Sequence, residues 1–96
     1  MAEITWTLEA QCWLQDIFEH IAADDPVAAA RTVGRIYKRA QLLTRFPELG
    51  YRYQASSRPV RILLEDHFRI AYVVGETGVI ILGVFHGALE IDRYLL

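Results

Sequence analysis

Ninety-six residues, a formal charge of −2 and an apolar fraction of 53% describe one domain with room for one core. That charge excludes a strongly basic nucleic-acid binder. No stretch reads as a signal peptide or a membrane span, the longest apolar runs being of strand length. The single cysteine, Cys12, cannot form an internal disulfide, which fits a reducing cytoplasm.

Ile4-Thr5-Trp6-Thr7 predicts a short first strand on an edge of a sheet, and Thr7 is a candidate N-cap for the helix that follows. That helix is expected over 8–23. Ala10, Trp13, Leu14, Ile17, Phe18 and Ile21 recur along it at amphipathic spacing, and Cys12 falls off the stripe as an exposed thiol with nothing basic near it to activate it. Asp24-Asp25-Pro26 breaks the chain: Asp25 can cap, and Pro26 suits a first helical position. A second helix is expected from Pro26 to about Arg45. It has a buried stripe of Ala29, Ala30, Val33, Ile36, Tyr37, Ala40 and Leu43, and a basic face of Arg31, Arg35, Lys38 and Arg39. Pro47 and Gly50 end it, and residues 51–59 read as an irregular loop.

Three strands follow, at 60–64, 68–74 and 79–86, rich in β-branched and aromatic residues. A hairpin loop at Gly75-Glu76-Thr77-Gly78 sets Val74 opposite Val79, Tyr72 opposite Ile81, Ile70 opposite Gly83 and Phe68 opposite Phe85. A turn at 65–67 sets Leu64 opposite Phe68 and Ile62 opposite Ile70. In this register Val60, Ile62, Leu64, Ile70, Tyr72, Ile81 and Phe85 share an apolar face for the helices. The other face mixes Leu63, Leu82 and Val84 with Arg61, Arg69 and His86. A slip of one residue in the turn would move Arg61 off that face. The tail 90–96 reads as a short final helix or strand.

Charge is unevenly distributed. Residues 1–30 hold six acids and no Lys or Arg, whereas residues 31–61 hold eight basic side chains against Glu48 alone. Such asymmetry either orients a charged partner or lets two antiparallel helices complement each other. The cysteine and the three scattered histidines lack metal-ligand spacing, and no glycine loop reads as a phosphate cradle, so neither metal nor cofactor is expected. The one catalytic candidate is the Arg61, Arg69 and His86 face, with Tyr94 brought near by the tail. A histidine and arginines can move a proton and hold the charge of a cleaving phosphodiester. The plainer reading makes Arg69 a salt-bridge partner of Glu65, Asp66 or Glu90, and His86 a strand end.

The order and spacing of several pieces resemble the ParE/RelE superfamily of type II toxin–antitoxin (plasmid stabilisation) systems. These are Ile4-Thr5-Trp6, Leu14-Gln15-Asp16-Ile17, Asp25-Pro26-Val27-Ala28-Ala29, Phe46-Pro47-Glu48-Leu49-Gly50, Phe68-Arg69-Ile70-Ala71-Tyr72 and Ile81-Leu82-Gly83-Val84-Phe85-His86-Gly87. The resemblance spans nearly the whole chain. It implies an α+β fold in which an N-terminal strand and an αα-hairpin pack on one face of an antiparallel sheet of three to four strands. It also implies a cytoplasmic toxin neutralised by a cognate antitoxin whose C-terminal segment folds on binding. That segment would dock on the helical hairpin and on exposed sheet positions such as Leu63, Leu82 and Val84.

RelE-like members cut mRNA on the ribosome, and ParE-like members poison DNA gyrase. By the resemblance, Arg69 stands where RelE-like ribonucleases carry one catalytic arginine. Many ParE-like chains have His-Gly-x-Arg-Asp/Glu after the last strand; here His86, Gly87 and Glu90 stand, with Leu89 in place of the arginine. The acidic balance, the Asp-Pro entry to the second helix and the His-Gly pair favour the ParE side. The leading expectation is a gyrase-directed toxin using Arg61, Arg69 and His86 for target binding, without direct DNA binding by this chain. The alternatives are a ribosome-dependent endoribonuclease using Arg69, His86 and Tyr94, and an inactive binding module of the same fold. A dimer or a toxin–antitoxin heterotetramer is compatible with either partner.

Overall fold

In a computed structural model that describes residues 2–87, the chain begins with strand β1 (Glu3–Trp6) and two helices, α1 (Leu8–Ala22) and α2 (Pro26–Gln41). A 3-10 turn over Leu42–Thr44 extends α2. Four strands follow: β2 (Tyr51–Arg52), β3 (Arg61–Glu65), β4 (Phe68–Val74) and β5 (Gly78–His86). The expectations for Leu89, Glu90, Tyr94 and the tail lie outside the described residues.

Both helices start where the sequence places their caps. Thr7 Oγ1 accepts from the Ala10 amide at 3.0 Å and donates to the Ile81 carbonyl at 3.0 Å, so one hydroxyl caps α1 and ties it to β5. Asp25 Oδ1 accepts from the Ala28 amide at 3.1 Å, with Pro26 at the first helical position. Because the Thr7 hydroxyl has two partners, Thr7→Ala should cost about 1–2 kcal/mol, at the upper end for a lost cap. A denaturant titration in which Thr7→Ala and wild type share a midpoint would refute this.

The sheet has five strands in the order β1-β5-β4-β3-β2. It is mixed, because β1 runs parallel to β5, with Ile4 opposite Val79 and Trp6 opposite Ile81. Residues 51–52, read as loop, instead pair with Arg61 and Ile62. The β4–β5 hairpin follows the expected register near its turn, with Val74 opposite Val79 and Tyr72 opposite Ile81.

Beyond Ile81 the register changes. Ala71 faces Gly83, which leaves Leu82 as an extra residue on β5, a β-bulge. From there on every side chain changes face relative to the sequence reading: Val84 joins the helix side and Phe85 the opposite side. Gly83 accommodates this, because a Cβ there would come within 2.6 Å of the Phe85 ring. The β3–β4 turn is also one residue tighter than expected. Glu65 pairs with Phe68, and Asp66 takes a positive φ of 55°, a conformation that aspartate tolerates better than most residues. Leu63 therefore pairs with Ile70 and faces the helices, and Ile62 pairs with Ala71 on the other side.

The main core lies between the hairpin and the sheet, built from Ala10, Ile36, Ala40 and Leu43 against Leu63, Ile70, Tyr72, Val79, Ile81 and Val84. A second cluster of Val60, Ile62, Ala71 and Phe85 lies on the other side. Trp13 joins the two, meeting the Phe85 ring edge-on at 4.8 Å. Tyr37, expected in the buried stripe of α2, is instead half exposed and stacks on Trp6 at 6.1 Å.

Candidate functional site

The corrected register separates residues that the sequence reading put together. Arg61 pairs with Tyr72 and Arg69 with Leu64, so the two arginines lie on opposite faces, about 10 Å of strand apart. Arg61 is the residue that the one-residue turn slip displaces. Its Nη1 donates to the carbonyls of Gly50 (2.7 Å) and Glu48 (3.2 Å), which makes it a brace for the Phe46–Gly50 turn. Tyr72 works beside it: its hydroxyl donates to the Pro47 carbonyl at 2.8 Å and accepts from the Gly50 amide at 2.8 Å. Burial pushes the Tyr72 phenol above its ordinary range, opposed by the Gly50 hydrogen bond and the Arg61 charge and reinforced by Glu48.

Arg69 and His86, expected on one face, take opposite faces, since Arg69 pairs with Phe85 and His86 with Phe68, but they border one depression at the sheet end. Arg69 lies opposite Phe85 on β5, and its Nη2 donates to the Gly87 carbonyl at 3.1 Å. His86 stands opposite Phe68, with the two rings edge-on at 5.9 Å. The turn adds His67, which the sequence reading did not single out, and Asp66, which it read only as a salt-bridge partner of Arg69. The His67 ring lies 6.3 Å from that of His86, and the His67 Nε2 lies 3.7 Å from Asp66 Oδ1. Leu64, Asp66, His67, Arg69, His86 and Gly87 line one open depression of about 370 Å³. The turn composition Glu65-Asp66-His67 was the available signal; it was missed because its length was set one residue too long. Two imidazoles, a guanidinium and a carboxylate at a sheet end can bind a polar protein surface or an anion. Among the described residues no group of three or more His, Cys, Asp or Glu gathers as metal ligands.

The sheet positions expected to be exposed for a partner segment require correction. Leu63 is 3% and Val84 0% exposed, both packed in the main core, and Leu82 is half-buried at the bulge. Concave apolar surfaces lie instead on the helical hairpin, where Trp6, Leu14, Phe18, Val33 and Tyr37 line a groove of about 430 Å³, and between α1 and the sheet end, where Trp13, Ile17, Ile21 and Phe68 line one of about 560 Å³. The two helices also form no ion pair with each other. Among the described residues the only ion pair is Asp66–His67, so no carboxylate of α1 meets a cation of α2. Cys12 is exposed, as expected. Among the described residues no helix is long and apolar enough to cross a membrane.

Comparison with known proteins agrees with this architecture. Residues 4–90 match the sequence model of the family described as "ParE toxin of type II toxin-antitoxin system, parDE". The chain is 36% identical over 83 residues to "Putative toxin Y4kP" of Sinorhizobium fredii (strain NBRC 101917 / NGR234), covering 86% of this chain and 85% of that protein. It is similar in structure to a chain of the "Chromosomal ParDE TA system from P. aeruginosa", with a TM-score of 0.76 and 27% identity over 90% of this chain and 96% of that one. The chain therefore belongs to the ParE toxin family of type II toxin–antitoxin systems.

Proposed function

We propose that the chain is a cytoplasmic ParE-like toxin that arrests growth by protein–protein contact with DNA gyrase and is held inactive by a cognate antitoxin. The family match supports the toxin reading. The observation that favours contact over phosphodiester cleavage is the engagement of Arg69 with the Gly87 carbonyl, which ties that guanidinium to the strand exit. Asp66 also places a negative charge in the depression that a scissile phosphate would have to enter. The antitoxin segment fits the hairpin groove lined by Trp6, Leu14, Phe18, Val33 and Tyr37, since Leu63 and Val84 are not accessible to it. An amphipathic segment laid in an apolar groove is an ordinary mode of such recognition.

One arrangement favours a second reading. His67, His86 and Arg69 on one depression supply groups that a ribosome-dependent endoribonuclease would use. Inducing the lone chain in cells and pulse-labelling DNA and protein synthesis separates the two. The gyrase reading expects DNA synthesis to stop first, whereas protein synthesis stopping first establishes the ribonuclease. Arg69→Ala should lower the toxicity at least tenfold in viable counts while keeping the wild-type circular dichroism spectrum. Full growth arrest by a folded Arg69→Ala chain would remove Arg69 from the site.

A further inference from the structure

The turn after α2 holds its apolar side chains outward and its backbone inward. Phe46 is 57% and Leu49 44% exposed, and with Arg45, Pro47, Glu48 and Val74 they line a shallow depression of about 650 Å³. The backbone between them is fastened to the sheet by the Tyr72 hydroxyl at Pro47 and Gly50 and by Arg61 at Glu48 and Gly50. Gly50 sits so close that an added Cβ would lie 2.7 Å from the Ile62 carbonyl oxygen. A turn serving only to connect α2 to the sheet would be expected to bury Phe46 and Leu49. This one is fixed by polar contacts to its backbone, leaving a rigid apolar knob in water.

The knob continues a line of positive charge. Arg31, Arg35 and Lys38 recur at intervals of four and three residues and so follow one side of α2, and Arg45, just past the 3-10 turn, lines the same depression as Phe46 and Leu49. All four are exposed, and among the described residues none has a carboxylate within ion-pair distance. No acid of the first thirty residues forms an ion pair with this stripe. An aromatic and a leucine pre-positioned beside unpaired arginines match the makeup of protein-binding hot spots.

We infer that the Phe46–Leu49 turn, Arg45 and the Arg31–Arg35–Lys38 stripe form one docking surface for an acidic protein surface that carries an apolar cleft. The inference rests on the reading that the chain acts by protein contact, and it extends that contact to a second surface beyond the Arg69–His86 depression. The fixed turn loses little conformational freedom on binding. The stripe steers the encounter and gives it salt dependence.

The test measures binding of the purified full-length chain to purified DNA gyrase and to its antitoxin, each from 50 to 500 mM salt. The paired substitution Phe46→Ser and Leu49→Ser alters exposed side chains and is expected to leave folding and antitoxin binding intact. It should weaken gyrase binding about 30-fold or more. Arg31→Glu, Arg35→Glu and Lys38→Glu together should weaken it and abolish most of its salt dependence. If wild type binds gyrase and both variants bind equally well, the docking surface is overturned and the gyrase reading stands. If wild type does not bind gyrase, both fall. If wild type binds single-stranded DNA and the same variants lose that binding, the occupant is nucleic acid and the protein assignment is overturned.

Discussion

Gly50→Ala is expected to destabilise the fold by about 3 kcal/mol or more, the upper range for forcing an atom into filled space. The added methyl would meet the Ile62 carbonyl at 2.7 Å and the Tyr72 ring at 2.8 Å, and neither can move without disturbing the sheet. Against a total stability of roughly 5–15 kcal/mol, that should lower the melting temperature by on the order of 15 °C. Tyr72→Phe tests the same joint from the other side. It leaves the Pro47 carbonyl and the Gly50 amide without their partner, at about 1–3 kcal/mol for each buried group.

The Tyr72 phenol also gives the joint a pH signature. Because its pKa is raised in the folded chain, its contribution is fully present below about pH 10, the unfolded value, and is lost as pH rises through the folded value. Urea midpoints of wild type should therefore fall more steeply above pH 10 than those of Tyr72→Phe. Parallel curves would show that the phenol does not hold its proton more tightly when folded.

Val84→Asp is expected to abolish folding, whereas Leu82→Asp, two residues away, should cost only about 1–2 kcal/mol. Val84 is fully buried in the main core, so an aspartate there would have to bury an unpaired carboxylate. Leu82 is the extra residue of the bulge and half-buried, so a charge there can reach water. Regular alternation along β5 would put both residues on the same face and predict similar outcomes. Soluble expression and circular dichroism of the two variants decide between a bulged and a regular strand.

The bulge shows where reading the sequence works and where it stops. Thr7, Asp25, Pro26 and the Gly75–Gly78 hairpin announce themselves locally, because caps and turns act through atoms a few residues apart. The register near that hairpin could be read for the same reason. An extra residue at Leu82 and a turn one residue shorter at Asp66-His67 carry no comparable local mark. Each reverses the face of every side chain beyond it. That single effect moved Arg61 to a structural brace and buried Leu63 and Val84. Arg69 and His86 remained neighbours because strand pairing brings them together whichever face each one takes. The pairing of β2 was not legible either: it comprises two residues, held where Arg61 and Tyr72 fasten the preceding turn.

The parallel seam between β1 and β5 constrains the order in which the protein can form. Glu3–Trp6 has its strand partner only in Gly78–Ile81, and Thr7 closes on the Ile81 carbonyl, so the first strand must wait for nearly the whole chain. The β4–β5 hairpin, closed by a short loop, can zip early, but the N-terminal segment pays the entropy of a long closure. During synthesis Ile4 and Trp6 remain unpaired until the last strand is made. A growing chain therefore passes through a stage in which the residues of α1 and α2 have been made while the groove beside Trp6 has not formed. On this ordering the groove beside Trp6 becomes available only once β5 has paired with β1.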